Sequence, residues 1–235
     1  MTEPVTVVAI DGPAASGKST VSRDVAKTLG FNYVDSGAMY RAITWKAFQL
    51  DIDVEDTIAV IGMMRTIKVS FEMVDGQARM FIDGVYPGDA IRDPRVTGKV
   101  STVAAIPEVR HVLVQHQRSL TKFGNLVMEG RDIGSVVFPD TPYKFYLDAN
   151  PAVRARRRAR DLEAMKIRAN QEGVAQSLQQ RDKLDSQRSA SPLQIALGAT
   201  VIDNSKLTVE ETSELIVAHI REQDRRRSKV AAGAS

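Results

Sequence analysis

The 235-residue sequence contains no cysteine, which excludes disulfide bonds, cysteine metal sites and thiol nucleophiles. No run approaches the roughly twenty apolar residues of a membrane span, and the amino terminus has neither the basic segment nor the apolar core of a secretion signal. Aromatic residues make up only 6% of the chain and the net charge is only +3, so neither base stacking nor a strong positive field favours nucleic-acid binding. These absences predict a cytoplasmic globular protein.

The first motif lies near the amino terminus. An apolar, strand-like run at 5–10 is followed by a turn and by a helix-like segment that begins at Lys18. The segment GPAASGKS between them satisfies G-x-x-x-x-G-K-[ST], the phosphate-binding loop, in which glycine lets the backbone approach a phosphate closely. The lysine of such a loop reaches the β- and γ-phosphates, and the serine ligates Mg²⁺, here Ser19. The residues predicted to bind ATP are Gly12, Pro13, Ala14, Ala15, Ser16, Gly17, Lys18, Ser19 and Thr20.

Strand-like and helix-like segments alternate along most of the chain, which is typical of an α/β fold with a parallel sheet. The expected strands lie at 5–10, 31–34, 126–128, 143–147 and 199–202. The expected helices lie at 18–29, 39–50, 107–123, 152–168, 174–188 and 208–221. The stretch 66–100 departs from this order, because two alternating segments flank the turn sequence Asp75-Gly76. It predicts an inserted antiparallel lobe.

Three polar segments lie where a ligand would bind if the sheet is parallel. DSGAMYR (35–41) and GRDIG (130–134) each follow a strand, and the carboxyl ends of parallel strands form the binding edge. In RDKLDSQR (181–188), three charged residues share one helix face and are suited to a phosphorylated sugar. Two of these segments also have an ordinary explanation, a helix cap for the first and a surface ion pair for the third. The role of Glu129 is also undecided at this point, because it could be a metal ligand or an ordinary carboxylate at the end of a strand.

Cationic residues are numerous enough for a transfer between two phosphates, and arginine is concentrated at 154–160. Such a transfer needs several cations around donor and acceptor, because the two anions otherwise repel each other. We find no convincing water-positioning residue, which a hydrolase would need. The pattern therefore predicts a phosphotransferase in which the arginine-dense helix closes as a lid and excludes water. The predicted cations are Lys18, Arg41, Arg131, Arg154, Arg157, Arg158 and Arg188.

The segments IDGPAASGKST, DSGAMYR, GRDIGSVVFP, RARRR and RDKLDSQR, in this order over about residues 5–220, closely resemble bacterial cytidylate (CMP) kinases of the nucleoside monophosphate kinase group. The resemblance implies an α/β phosphate-loop fold with a five-stranded parallel sheet flanked by helices. It also implies an inserted monophosphate-binding lobe with a small antiparallel sheet, and a helical lid. The implied divisions are a core at 1–35, 116–150 and 171–223, a monophosphate-binding domain at 36–115 with its β insert at about 66–100, a lid at 151–170, and a flexible tail at 224–235.

The same resemblance implies Mg²⁺-dependent transfer of the γ-phosphoryl group of ATP to CMP or dCMP by a monomer. The implied catalytic residues are Lys18, Arg131, Arg154, Arg157, Arg158 and Arg188. The implied acceptor-binding residues are Ser36, Tyr40, Arg41, Ser101, Arg110, Arg131, Asp132, Arg181, Asp185 and Arg188. Among these, Ser101, Arg110 and Asp132 would contact the cytosine edge, which offers an amine donor and two acceptors. Without the resemblance, Ser101 reads as a helix cap and Arg110 as a surface residue.

Two positions depart from the family, which often has Asp where this chain has Glu129 and Thr where it has Ser135. Three alternatives remain open at this point. The chain could be another small phosphate-loop kinase, of the uridylate/cytidylate or shikimate type. It could also be a nucleic-acid-binding module that uses its arginine runs, or a regulatory nucleotide switch.

Overall fold

The structure, a computed structural model, describes residues 5–167 and 170–233, with side chains described up to residue 229. These residues form seven strands and eight α-helices. The strands are β1 (Val7–Asp11), β2 (Asn32–Asp35), β3 (Val69–Val74), β4 (Gln77–Ile82), β5 (Leu126–Gly130), β6 (Tyr143–Asp148) and β7 (Thr200–Asp203). The helices are α1 (Lys18–Leu29), α2 (Ser36–Gln49), α3 (Thr57–Thr66), α4 (Pro94–Ala105), α5 (Pro107–Ser119), α6 (Pro151–Ala164), α7 (Gln171–Gln187) and α8 (Val209–Gly233).

All seven strands belong to one sheet with the order β3-β4-β2-β5-β1-β6-β7. Five neighbouring strands of this sheet are parallel, in the order β2-β5-β1-β6-β7, which confirms the predicted five-stranded parallel sheet. The hairpin β3–β4 is antiparallel, as its sequence predicts. It does not form a separate small sheet, because β4 pairs with β2 through Tyr33 and Gln77 and so extends the main sheet.

The two faces of the sheet are buried by different helices, because successive side chains of a strand point to opposite sides. Val7 and Ala9 of β1 belong to the larger apolar cluster, which also includes residues of α2, α3, α4 and α5. Val8 and Ile10 belong to the second cluster, with residues of α1 and α8. Both faces are therefore covered, as expected of a parallel sheet.

Several segments differ from the sequence-based prediction, and α3 is a helix where no element is expected. Strands occupy only the first part of the predicted β insert at 66–100, which continues as a 3₁₀ turn at Gly88–Arg92 and then as α4. The predicted flexible tail at 224–235 is helical over its described part, because α8 continues to Gly233. Three parts of the predicted divisions lie outside the described residues: the start of the core (1–4), two residues of the lid (168 and 169) and the end of the tail (234 and 235).

Helix α2 begins at Ser36, three residues before its predicted start, because the Asp35 carboxylate caps it by accepting a hydrogen bond from Ala38 N at 2.8 Å. Helices α4, α5 and α6 each have proline in the first turn, where its fixed φ favours the start of a helix. Within residues 5–167 and 170–233, no helix is both long and apolar enough to cross a membrane.

Candidate active site

A cleft of about 740 Å³ opens at the carboxyl ends of the parallel strands. Its walls come from the loop after β1, the ends of β2 and β5, and helices α4, α6 and α7. The predicted site residues that line it are Ala14, Ala15, Gly17, Lys18, Ser19, Thr20, Ser36, Tyr40, Arg41, Ser101, Arg110, Arg131, Asp132, Arg157, Arg158, Arg181, Asp185 and Arg188. Four others, Gly12, Pro13, Ser16 and Arg154, are not among the lining residues in the described part of the chain.

The loop between β1 and α1 is held in place by a close approach to β6. Gly12 has φ 150°, and a Cβ on it would lie 2.1 Å from the carbonyl oxygen of Leu147. Ala15 has φ 59°, a left-handed conformation that costs a residue with a side chain about 1 kcal/mol. Glycine at position 12 is thus needed to fit against the neighbouring strand, a reason that the motif alone does not give.

Lys18 is the cation closest to the loop backbone. Its Nζ donates hydrogen bonds to the Pro13 carbonyl at 2.6 Å and to Ser16 Oγ at 3.3 Å, and the residue is only 5% exposed. Burial and the positive charge of Arg131 lower the pKa of Lys18, while Glu129 raises it. A cation in such a water-poor position interacts strongly with an anion placed beside it.

The arginines of α6 have two different roles. Arg157 donates to the Ser16 carbonyl and to Asn204 Oδ1, both at 3.1 Å, and Asn204 Nδ2 also donates to the Ser16 carbonyl. Arg158 lines the cleft, where burial lowers its pKa and the charges of Arg41 and Arg92 add to that effect. Arg158 is therefore repelled by other cations, and a bound phosphate would offset that repulsion.

Arg154, which the sequence predicts as a catalytic cation, is directed at protein groups. Its guanidinium is ion-paired with Asp182 and donates to the carbonyls of Ala14 at 3.2 Å and Ala149 at 3.1 Å. Asp182 in turn accepts from Ala14 N at 3.3 Å. These contacts tie α6 and α7 to the phosphate-binding loop, so Arg154 reaches the loop backbone at Ala14 but is not itself among the described residues that line the cleft.

On the opposite wall, the DSGAMYR segment brings Ser36 and Arg41 into the cleft. Arg41 forms an ion pair with Asp35 at 2.7 Å. Burial opposes ionisation of Asp35, but Arg41 and the Ala38 N–H hold its pKa below the usual value. Ser36 Oγ donates to the Glu129 carbonyl at 2.7 Å, and a Cβ on Gly130 would lie 2.5 Å from that hydroxyl.

Deeper in the cleft, two buried ionic groups gather the remaining acceptor residues. Arg110 is ion-paired with Asp132, and Arg188 Nη2 lies 3.8 Å from the other carboxylate oxygen of Asp132. Arg110 is 2% exposed, so the surface position that its sequence context suggests is wrong. The contacts link α5 to the turn after β5 and to the end of α7.

Asp185 is the centre of the second group. Its carboxylate accepts from Arg131 Nε at 2.9 Å and from Ser101 Oγ at 3.1 Å. Burial opposes ionisation of Asp185, but Arg131, Arg181 and Arg188 hold its pKa low. Ser101 lies inside α4 and is not the helix cap that its sequence suggests.

Arg181 and Arg188 do not continue one helix face as expected. Helix α7 ends at Gln187, and Arg188 is extended (φ −63°, ψ 143°), with Nε donating to the Ser191 carbonyl at 2.7 Å. Burial and the charge of Arg131 lower the pKa of Arg181 to about 10. Both residues nevertheless line the same cleft as Asp185.

Glu129 lies at the end of β5 and accepts a hydrogen bond from the Tyr33 hydroxyl at 2.6 Å. Burial and the charge of Asp35 raise the pKa of Glu129, whereas Lys18 and a hydrogen bond from Ser19 lower it. Glu129 and Ser19, the predicted metal ligand, both line the cleft. Among the described residues, no group of three or more His, Cys, Asp or Glu side chains forms a metal cluster.

Several residues that shape the site carry no local signal in the sequence. Asp11 accepts hydrogen bonds from the backbone N–H groups of Ile133 at 2.9 Å and Gly134 at 2.8 Å, and so ties β1 to the turn after β5. Asp182 and Asn204 bind the phosphate loop from α7 and from the residue after β7. Strand-end position alone could have pointed to Asp11 and Asn204.

A family model described as cytidylate kinase matches residues 8–222. The chain belongs to the cytidylate kinase family. A cytidylate kinase from Caldanaerobacter subterraneus subsp. tengcongensis is 46% identical over 214 residues, covering 91% of this chain and 94% of that protein. Those from Pelotomaculum thermopropionicum and Lactiplantibacillus plantarum are 42% and 43% identical, covering 91% and 87% of this chain and 95% and 90% of those proteins.

Membership of the cytidylate kinase family confirms the resemblance seen in the motifs, and it makes the chain an ATP-dependent phosphotransferase that acts on nucleotides. It also fits the α/β architecture, in which a mostly parallel sheet is flanked by helices.

Proposed function

We propose that the protein transfers the γ-phosphoryl group of ATP to CMP and dCMP, giving CDP and dCDP. One observation carries this proposal: a single cleft contains both the phosphate-loop lysine and the buried pair Arg110–Asp132. A guanidinium and a carboxylate held together offer the donors and the acceptor that complement the edge of cytosine. Family membership supports the same reaction.

The donor, ATP, binds at residues 12–20. The amino end of α1 and the loop N–H groups receive its phosphates, and Lys18 contacts the β- and γ-phosphates. Asp182, Arg154 and Asn204 hold the loop in shape, so Arg154 is here a positioning residue. The observed backbone contacts explain why the loop keeps the strained conformation at Ala15.

The residues present fit a magnesium ion. Ser19 and Glu129 both line the cleft and supply oxygen atoms, the ligands that Mg²⁺ prefers. Mg²⁺ usually takes only one or two protein ligands beside phosphate oxygens, so an acidic cluster is not needed. We propose Ser19 as a ligand, with Glu129 beside it; the ion, when bound, neutralises phosphate charge.

The acceptor binds on the opposite wall. Ser36, Arg41, Arg131 and Arg188 are proposed to contact its phosphate. Arg181 and Asp185 are proposed to hold the sugar hydroxyls, and Ser101, Arg110 and Asp132 to contact the base. Tyr40 lines the same part of the cleft.

In the reaction, an oxygen of the acceptor phosphate attacks the γ-phosphorus of ATP. The bond to the β–γ bridging oxygen breaks, and ADP leaves with that oxygen. Lys18, Arg131, Arg157, Arg158 and Arg188 are suited to stabilise the charge on the transferring group and to offset repulsion between the reactants. Their positions on three sides of one cleft favour transfer to a phosphate over hydrolysis.

We also propose that residues 151–170 act as the lid and 36–115 as the monophosphate-binding domain. Arg158, Arg41 and Arg92 all line the cleft, which supports this, because bound phosphates would offset the repulsion between these cations. A monomer in the cytoplasm, with no nucleic-acid partner, remains a prediction from the sequence.

A coupled assay with MgATP and a panel of acceptors tests the proposal. CMP and dCMP should be phosphorylated with kcat/KM at least about 100-fold above UMP, AMP and shikimate, since a site built on hydrogen bonds rejects bases that leave buried groups unpaired. A preference for UMP, AMP or shikimate would overturn the assignment. Salt-sensitive DNA binding without turnover would favour the nucleic-acid module instead.

A further inference from the structure

Tyr33 is a buried residue of β2 that the proposed reaction does not use. Its hydroxyl donates a hydrogen bond to Glu129 Oε1 at 2.6 Å, and the two residues are 5% and 4% exposed. Such a bond is stronger than one between neutral groups, because the accepting carboxylate carries charge. Glu129 lines the cleft, whereas Tyr33 is not among the described residues that do so. Tyr33 is therefore connected to the cleft through this carboxylate.

The register of the sheet explains why the two side chains meet. Tyr33 is paired with Val127 of β5, and Glu129 follows Val127 by two residues, so both point to the same face of the sheet. Tyr33 and Val127 belong to the apolar cluster that also includes residues of α1. Glu129 therefore points to the side of the sheet that α1 covers. The first turn of α1 carries Ser19, which lines the same cleft as Glu129.

Glu129 is fixed at both its backbone and its side chain. Its carbonyl oxygen accepts a hydrogen bond from Ser36 Oγ at 2.7 Å, and its carboxylate accepts the one from Tyr33. The Tyr33 ring is held in turn, since the Arg23 guanidinium lies over it, 5.0 Å from the ring centroid. Glutamate has one more side-chain torsion than the aspartate often found here in the family, so a contact is needed to keep it in one orientation. The Tyr33 hydroxyl provides that contact.

The second carboxylate oxygen of Glu129, Oε2, is available to a cation. Within the described part of the chain it accepts no hydrogen bond, and Glu129 forms no ion pair with a lysine, arginine or histidine. Two cations of the same cleft are directed elsewhere, Lys18 at the Pro13 carbonyl and Arg131 at Asp185. Buried charges in proteins are paired or coordinate metals. The proposed function supplies a suitable cation, the Mg²⁺ that accompanies ATP.

We propose that Tyr33 is a positioning residue for the magnesium site: its hydroxyl occupies one oxygen of the Glu129 carboxylate and thereby sets the direction of the other toward the metal bound with ATP. This rests on the proposed function, since it assumes that MgATP binds at residues 12–20. A residue that orients a metal-binding group affects metal affinity without touching the metal itself. The proposal concerns the donor half of the site, so recognition of the acceptor base should not depend on Tyr33.

The test measures the dissociation constant of ATP by isothermal titration calorimetry, once with Mg²⁺ and once with EDTA, for wild type and Tyr33→Phe. The ratio of the two constants is the gain in ATP affinity that Mg²⁺ provides. We expect Tyr33→Phe to lower this gain about tenfold and to leave the constant in EDTA within about twofold of wild type. Tyr143→Phe is the matched control, because Tyr143 is a buried tyrosine of β6 whose hydroxyl donates to the Asp224 carboxylate, and neither residue lines the cleft. It should leave the gain unchanged.

Glu129→Gln and the double variant Tyr33→Phe/Glu129→Gln show whether Tyr33 acts through the carboxylate. Glu129→Gln should lower the gain at least about tenfold, and the double variant should match it, because Tyr33 then has no carboxylate to orient. Additive losses, an unchanged gain in Tyr33→Phe, or an equal loss of ATP affinity in EDTA would each overturn the proposal. Should Tyr33→Phe not fold, Glu129→Gln decides in its place, and an unchanged gain there would overturn it. A wild-type protein that binds MgATP but does not phosphorylate CMP would instead contradict the proposed function.

Discussion

Arg131 Nε donates a hydrogen bond to Asp185 Oδ2 at 2.9 Å, and this pair joins the turn after β5 to helix α7. Asp185 also receives the Ser101 hydroxyl from α4, so three separate segments meet at one carboxylate. The pair therefore controls the shape of the proposed acceptor site and leaves the phosphate loop untouched.

Replacing Asp185 by asparagine should accordingly affect the acceptor more than the donor. We expect Asp185→Asn to raise KM for CMP by about 10- to 100-fold, because a charge-assisted hydrogen bond is lost in a buried position. The KM for ATP should change by less than about threefold by the same argument. Steady-state kinetics with each substrate varied in turn measures both, and Asp140→Asn, at an exposed position without ionic contacts among the described residues, is the control. Unchanged kinetics with CMP and dCMP would remove Asp185 from the acceptor site.

Lys18 supplies positive charge where the γ-phosphate is expected. Lys18→Met should lower kcat by at least about 100-fold, since one electrostatic contact to the transferring group is worth this much. Lys27→Met, in the last turn of the same helix and exposed, should leave kcat within about twofold of wild type. A Lys18→Met enzyme with near-normal kcat would show that the loop binds phosphate without this cation.

The fit of Gly12 against β6 predicts a stability effect. Gly12→Ala would place Cβ 2.1 Å from the Leu147 carbonyl oxygen, so β1 and β6 must separate. We expect the free energy of unfolding to fall by about 1–3 kcal/mol or more in urea denaturation.

Gly62 is the matched control for that experiment. It is an exposed glycine inside α3, and a Cβ there would meet nothing within 4 Å. Gly62→Ala should raise the free energy of unfolding by up to about 1 kcal/mol, because alanine favours a helix. Equal effects of the two substitutions would contradict the steric account of Gly12.

The buried carboxyl group of Asp11 should make the stability of the protein depend on pH. Burial raises the pKa of Asp11 to about 7, against the lowering effect of the N–H donors of Gly134 and Ile133. In the unfolded chain an aspartate has a pKa of about 4, so between about pH 4 and pH 7 the folded protein binds a proton that the unfolded chain lacks. This group therefore makes the free energy of unfolding fall as the pH rises through that window.

Asp11→Asn should remove this contribution. Between about pH 5 and pH 8, the free energy of unfolding of the variant should fall less, or rise more, than that of wild type. Urea denaturation at both pH values measures the difference. Parallel pH dependences for wild type and Asp11→Asn would show that the Asp11 carboxyl ionises normally in the folded state.

The sequence predicts the parallel strands and the phosphate loop well, because each has a local pattern that its neighbours in space only reinforce. The sequence pattern does not predict helix α4, since Pro94, Thr97 and Gly98 are poor helix formers. The preceding segment also has the alternating pattern of strands. Helix α4 depends on the cap that Asp93 provides to Arg95 N, and on burial of Val96, Val100 and Val103.

The described part of the tail is helical, which the sequence pattern does not predict, for a related reason. Beyond residue 221 the chain has no apolar periodicity, yet Glu222 pairs with Arg225 and Arg226 at helical spacings, and Asp224 accepts a hydrogen bond from the Tyr143 hydroxyl. Local ion pairs of this kind prolong a helix that is already started.

Within the site, the sequence motifs predict individual residues, but they do not predict which other residues these contact in the folded protein. Arg110 and Ser101 are buried only because α4 and α5 pack against α7 and the turn after β5, a tertiary arrangement without a local signature. Arg154 has the same sequence context as Arg157 and Arg158, but its direction on α6 takes it to Asp182.

The central claim is that one cleft binds ATP and CMP together and passes a phosphoryl group directly between them. It is tested most directly by incubating the protein with Mg²⁺, CMP and ATP labelled in its γ-phosphate, and by separating the products. The account predicts label in CDP, in an amount equal to the ADP formed. Label released as inorganic phosphate, with CMP left unconverted, would contradict it.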